Sequence, residues 1–167
     1  SYSHKMLIHP EEKAHAEPLL KEAVAESSND DESAAIFQRK LVKPIADIFL
    51  PVWENSRGAD GYVSIQGDPI HEHDPQVIID EARLNRQLGP NIAIKIPCTK
   101  AGLTAMETLM AENVPINATE IMSVQQGIDL CETYERLAAE TAHTTPLWPS
   151  TIAGIHAPYL ENHVRNK

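Results

Sequence analysis

Four short apolar runs, GYVSIQ, NIAIKI, PINATEI and PLWPST, recur roughly every 25 to 30 residues from Gly61 onward, with helical stretches between them. That spacing is the length of one strand plus one crossover helix. Strands joined by crossovers are parallel, and a parallel sheet must be covered on its faces by those same helices. The fold class is therefore α/β. Two helix starts agree with it. Asp74 before Pro75 is an N-cap with proline at the first helical position, and Ser123 with Gln126 three residues later spells a capping box.

The chain ahead of Gly61 reads differently. HPEEKAHAEPLLKEAVAES carries its acidic residues early, as a helix start does, and beyond the polar SSNDD stretch Ile36, Leu41, Ile45, Ile48, Phe49 and Val52 recur at helical spacing to about Asn55. Pro44 and Pro51 are expected to kink or end that helix. No linker and no repeat divides the chain, so residues 1–167 are read as a single domain. A hydrophobic content of 42% supports a core, and with aromatics at only 5% its packing must be aliphatic and alanine-rich.

Charge and composition narrow the function. With 24 acidic side chains against 14 Lys+Arg and a net charge of −10, a nucleic-acid partner is not expected. No apolar run approaches the roughly 18 to 20 residues of a membrane helix, and SYSHKMLIHPEEK is too polar for a signal peptide, so the expectation is a cytoplasmic protein without a membrane partner. The first residue is Ser and not Met, which suggests a processed product, an excised piece or part of a longer chain. Cys98 and Cys131 have no disulfide framework and no metal-ligand spacing around them, and neither is a strong nucleophile. Cys98 is read as a small buried thiol. His71 and His73 in PIHEHDP lack a third and fourth ligand, so a polar loop is the reading and no metal is assigned.

Strand alternation separates two faces. Ile92, Ile94 and Ile96 point toward covering helices while Ala93 and Lys95 point away from them; Val63 and Ile65 oppose Ser64 and Gln66; Asn117 and Thr119 share a face. The polar face holds Ser64, Gln66, Lys95, Asn117 and Thr119, mostly toward the C-terminal strand ends, where ligand sites of α/β folds lie. A lysine at a strand end is ordinarily a solvated or salt-bridged side chain. Lys95, however, is bracketed by isoleucines and followed by Pro97, a partly desolvated setting that frees an amine for Schiff-base chemistry, with Gln66 and Thr119 placed to hold a water.

The stretches GYVSIQGDP, NIAIKIPCTKAGLTAMETLMAENVPINATEIMSVQQG and STIAG resemble the transaldolase family, whose members carry a Schiff-base lysine in an IKxP-T-x-x-G motif. Lys95, Thr99, Gly102, Asn117, Thr119, Ser123 and Gln126 fall in the family's order and spacing across about residues 61–155. The resemblance implies a (β/α)8 barrel that moves a dihydroxyacetone unit between sugars or sugar phosphates, as in the pentose phosphate pathway. By position, Lys95 on the fourth barrel strand would be the nucleophile, Gln66 and Thr119 would hold the catalytic water, and Asn117 and Ser150 would bind substrate. The resemblance implies neither metal nor organic cofactor, because the iminium is the electron sink.

The departures from the family pattern matter as much. Transaldolases place Glu where this chain has Gln66, whereas the related fructose-6-phosphate aldolases place Gln there; Gln orients water but is a poor base. Those aldolases use a Tyr on the sixth strand where this chain has Ile152, so simple aldol release is disfavoured. The phosphate-binding Arg is replaced by Ile155, with His156 beside it, and Pro149 inside the sixth strand fits best at a sheet edge. A full barrel needs about 250 residues. The chain matches strands three to six preceded by helices, an incomplete barrel that lacks the strand-one Asp and the strand-two Asn. A fragment, a half-barrel closed by a second copy or by a complementing half, and a degenerate relative that binds without turnover all follow. The leading expectation is a transaldolase-type transferase impaired in this form. The rivals are a non-catalytic sugar-phosphate or carbonyl binder, an aldolase of the fructose-6-phosphate type, and a structural remnant.

Overall fold

The computed structural model describes residues 2–152, 154 and 156–165. Three helices come first: α1 (Tyr2–Ile8), α2 (Pro10–Glu26) and α3 (Asp30–Asn55). Strands and helices then alternate as β1 (Val63–Gln66), α4 (Pro75–Arg86), β2 (Ile92–Pro97), α5 (Lys100–Ala111), β3 (Ile116–Ile121), α6 (Val124–Thr141), β4 (Leu147–Thr151) and α7 (His156–Arg165). The four strands form one sheet in the order β1-β2-β3-β4, and β2–β3 and β3–β4 pair in parallel. Each strand falls on one of the four apolar runs, and the fold is α/β as the spacing requires. Pro149 lies in β4 at the edge of the sheet, where its missing N–H costs no ladder bond to a further strand.

Two compact units make up the chain. One is built from the chain up to Pro69 together with Glu81–Ala93; the other from Ile70–Asp80 together with the chain from Ile94 onward.

In the first unit, α2 and α3 pack through Ala16, Ala23, Phe37 and Leu41, with Met6, Leu7, Leu19, Leu20 and Ile36 around them. The two alanines are wholly buried, and so small a side chain lets the helix backbones approach closely. Asn29 starts α3 as its N-cap, its Oδ1 accepting from the N–H groups of Asp31 and Glu32, and three acids in the first turn suit the helix dipole. Of the two outcomes expected at Pro44 and Pro51, an end is not what occurs: α3 runs on through both to Asn55. Tertiary packing outweighs the lost backbone bonds: Phe37, Leu41 and Ala46 are buried along the helix, and the Ala46 carbonyl, five residues ahead of Pro51, accepts from Asn91 Nδ2 at 2.8 Å. Most of the apolar stripe predicted for this helix is uncovered: Leu41 is buried and Ile36 half-buried, whereas Ile45, Ile48, Phe49 and Val52 are exposed.

The entry to β1 is set by Gly61. It has φ +83°, and a Cβ there would lie 2.5 Å from the Trp53 nitrogen and 2.9 Å from the Phe49 carbonyl, so the chain can cross α3 only as glycine. Asn91, itself 1% exposed, reaches the Gly61 carbonyl through Nδ2 at 3.1 Å while its own carbonyl accepts from Val63 N at 2.9 Å. Arg86 closes the turn between α4 and β2 by donating from Nη1 to the carbonyls of Gly89, Pro90 and Ile92.

In the second unit, β2 residues from Ile94, β3 and α5 share a core of Ile94, Ile96, Met106, Leu109, Ile116 and Ala118, all at 2% exposure or less. The starts of the crossover helices follow the sequence closely. Asp74 Oδ1 accepts from Gln76 N at 2.8 Å, Thr99 Oγ1 accepts from Gly102 N at 3.0 Å, and Ser123 with Gln126 makes both bonds of a capping box. Gly102 is forced: a Cβ there would sit 1.9 Å from the Pro97 carbonyl oxygen. No helix among the described residues is long and apolar enough to cross a membrane.

Candidate active site

Lys95 is the one residue of β2 that is not buried. Ile94, Ile96 and Ala93 around it are 2% exposed or less, while Lys95 itself is half-buried. The face opposite the isoleucines is thus closed at Ala93 and opens at Lys95. Among the described residues no carboxylate lies within ion-pairing distance of the Lys95 ammonium.

The register brings the next polar residues beside it. Lys95 pairs with Asn117, and Pro97 with Thr119, so Asn117 lies level with the lysine and Thr119 one layer further along the same face. Asn117 pairs in turn with Trp148 of β4, which places Ser150 two residues along on that face. The Ser150 hydroxyl donates to Asn117 Oδ1 at 2.8 Å. An amide whose oxygen accepts there turns its Nδ2 donors away from Ser150. Thr119 is 3% exposed, and its carbonyl accepts from Cys98 N at 2.8 Å, the last bond holding β2 to β3.

Lys95, Asn117, Thr119 and Ser150 therefore gather on three adjacent strands of one unit. Gln66 belongs to the other unit. It is half-buried at the C-terminal end of β1, followed by Gly67 and Asp68. The carboxylate of Glu81, a residue that strand alternation gives no reason to notice, accepts from the Asp68 N–H. It packs against Gly67 so closely that a Cβ there would meet Glu81 Oε2 at 2.5 Å. Ser64 is exposed.

Three residues of the motif prove to be structural. Thr99 caps α5, Gly102 admits the Pro97 carbonyl, and Ser123 caps α6. Cys98 is buried, its Sγ against the Gln126 carbonyl at 3.5 Å, and burial pushes the thiol up, with the charge of Asp129 adding to it. It is the small buried thiol the sequence suggests. The His71 and His73 rings lie 6.4 Å apart in the loop after β1, and the described residues contain no cluster of three or more metal-ligating side chains. Ile152 continues from β4, its N–H on the Ile121 carbonyl at 3.2 Å. Ile155 and the side chain of His156 lie outside the described residues.

Comparison with known proteins points the same way as the motif. The family described as Transaldolase/Fructose-6-phosphate aldolase matches residues 7–161. A "Transaldolase" of Mycobacterium tuberculosis (strain ATCC 25618 / H37Rv) is 35% identical over 117 residues, covering 69% of this chain and 31% of that protein. "Transaldolase 2" of Nostoc sp. is 43% identical over 97 residues, 57% of this chain and 26% of the relative. "Transaldolase 1" of Streptomyces avermitilis is 35% identical over 129 residues, 76% and 33%. The chain spans about a third of the length of the curated relatives it matches.

Proposed function

The chain belongs to the transaldolase/fructose-6-phosphate aldolase family, and from that premise we propose that it carries transaldolase-type chemistry on a sugar or sugar phosphate through a Schiff base at Lys95. The single observation that supports this most is the setting of Lys95: a half-buried amine emerging from an otherwise buried strand, registered against Asn117. The Lys95 amine adds to the ketose carbonyl and water leaves, giving an iminium that draws electrons from the bond between the carbons α and β to it as the β-hydroxyl gives up its proton. Cleavage releases an aldehyde and leaves an enamine. The enamine adds to an acceptor aldehyde, and water then frees the product and the lysine.

The supporting roles follow from position. Asn117, its amide oriented by Ser150, hydrogen-bonds substrate hydroxyls. The Ser150 oxygen keeps its acceptor capacity after donating to Asn117 and takes a substrate hydroxyl. Thr119 holds the water that leaves and re-enters at the imine, and the family resemblance gives Gln66 a part in the same role. A Gln in that role orients water but is a weak base, so proton transfer is shared with other groups.

The test is borohydride trapping with dihydroxyacetone or fructose 6-phosphate, followed by peptide mapping. Reduction freezes the imine and reads a step that precedes turnover. A single adduct at Lys95, lost in Lys95→Met, is the expected result. Label scattered over surface lysines, or an adduct undiminished in Lys95→Met, overturns the reading.

A further inference from the structure

Gln126 belongs to the recognised motif, yet neither helix capping nor the imine chemistry accounts for its whole side chain. Its Oε1 accepts from the N–H groups of Met122 at 2.9 Å and Ser123 at 3.0 Å. Its Nε2 donates to the carbonyl of Cys98 at 2.8 Å and to that of Glu120 at 3.4 Å. Two N–H donors and two carbonyl acceptors fix which end of the amide is which. Only the Oε1 half is capping. The Nε2 half binds the strand ends, Cys98 one residue past β2 and Glu120 one residue past Thr119.

The backbone at that place needs such a tie. The β2–β3 register ends at Pro97 and Thr119. Beyond it Glu120 is left-handed at φ 58°, a conformation unfavourable for a residue with a Cβ, and the β3–β4 register shifts between Ala118 and Ile121. Backbone held in such a region persists where its surroundings over-determine it, and functional sites are where this occurs most. Here the surroundings include the Gln126 amide, which takes over where the ladder stops.

We infer that Gln126 is a positioning residue for the imine-forming site: its Nε2 clamps the C-terminal ends of β2 and β3, and so holds Lys95 and Thr119 at a fixed separation. This rests on the Schiff-base reading of Lys95 for its functional meaning, though not for its geometry. Misplacement of a reacting group by as little as 1 Å can cost about a hundredfold in rate, so a clamp on the two strand ends acts where precision matters.

Gln126→Glu separates the two halves of the side chain. Glutamate is a usual capping-box residue and keeps the bonds to Met122 and Ser123, but it cannot donate to Cys98 and Glu120 at neutral pH. The expected result is a modestly lowered unfolding midpoint, since the Cys98 and Glu120 carbonyls lose their donor, together with about tenfold slower Lys95 adduct formation in borohydride trapping with dihydroxyacetone. Amide hydrogen exchange should be faster in Cys98, Thr99 and residues 119–121 and unchanged in the body of α6. Gln126→Ala should lose both midpoint and adduct rate. Adduct formation in Gln126→Glu at the unaltered rate overturns the positioning role. If the unaltered chain itself forms no adduct at Lys95, the Schiff-base reading fails and exchange alone decides the clamp: unchanged exchange at the two strand ends overturns it, and local acceleration supports it.

Discussion

The Ser150 hydroxyl donates to Asn117 Oδ1 at 2.8 Å, so a side chain on the edge strand sets the orientation of an amide on the strand beside Lys95. Ser150→Ala removes that hydrogen bond from the Asn117 amide. Ketose affinity is expected to weaken by about 1 kcal/mol, the worth of one hydrogen bond, with little change in unfolding midpoint. Calorimetric titration of the Lys95→Met protein and of its Ser150→Ala derivative with a ketose measures binding without covalent trapping. Equal affinities would remove Ser150 from the site.

Gly102→Ala tests whether the motif glycine serves structure or substrate. A methyl group 1.9 Å from the Pro97 carbonyl has no room, and the carbonyl belongs to a strand fixed on both sides. The cost is expected at about 3 kcal/mol or more, at the upper end of overpacking effects, read as a lowered urea midpoint. A stable Gly102→Ala protein that merely binds ketose more weakly would contradict the structural role.

Ala142 ends α6 in the left-handed conformation at φ 58°. Glycine takes that conformation without the steric penalty of a Cβ, so Ala142→Gly should stabilise the chain by about 0.5 to 1 kcal/mol. Thermal or urea unfolding checks it, and a destabilised variant would refute it.

The sequence made the strand framework readable to within a residue or two, because the apolar runs, their spacing and the caps at Asp74 and Ser123 all report local rules that the structure obeys. What it left hidden is non-local. The passage of α3 through Pro44 and Pro51 depends on Phe37 and Leu41 packing against Ala16 and Ala23 of α2, which no local rule supplies. Alternation likewise put Ala93 with the polar face, yet it is 1% exposed, since a face can be closed by neighbours a strand pattern does not know of. Glu81 and the clamping half of Gln126 were invisible for the same reason: their partners, Asp68 and Cys98, are 13 and 28 residues away. The family motif flagged Thr99, Gly102 and Gln126 without distinguishing what holds the site from what reacts in it.

The two cysteines should differ sharply. Cys131 is exposed and Cys98 buried, so a thiol reagent should modify Cys131 rapidly and Cys98 only on unfolding. Burial raises the titration of Cys98 above the ordinary thiol range, the Asp129 charge adding to it. A raised acid is still protonated in the folded chain where the unfolded chain already ionises. Its contribution to stability is therefore complete below the unfolded thiol value of about 8.5 and declines as pH rises from there through the folded value. Urea midpoints should fall more steeply with alkaline pH in the unaltered chain than in Cys98→Ala. Parallel profiles would show that Cys98 titrates normally.

Asn91 sets a limit on how the protein can be dissected. One side-chain amide reaches both the Ala46 carbonyl in the long helix and the Gly61 carbonyl at the entry to β1, while the same residue's backbone receives Val63. An excised version beginning at Gly61 would keep every strand and still lose one of the two acceptors of a nearly inaccessible amide. The last part of α3 is thus tied to the entry of β1: the smallest piece that keeps both of these amide bonds reaches back at least as far as Ala46.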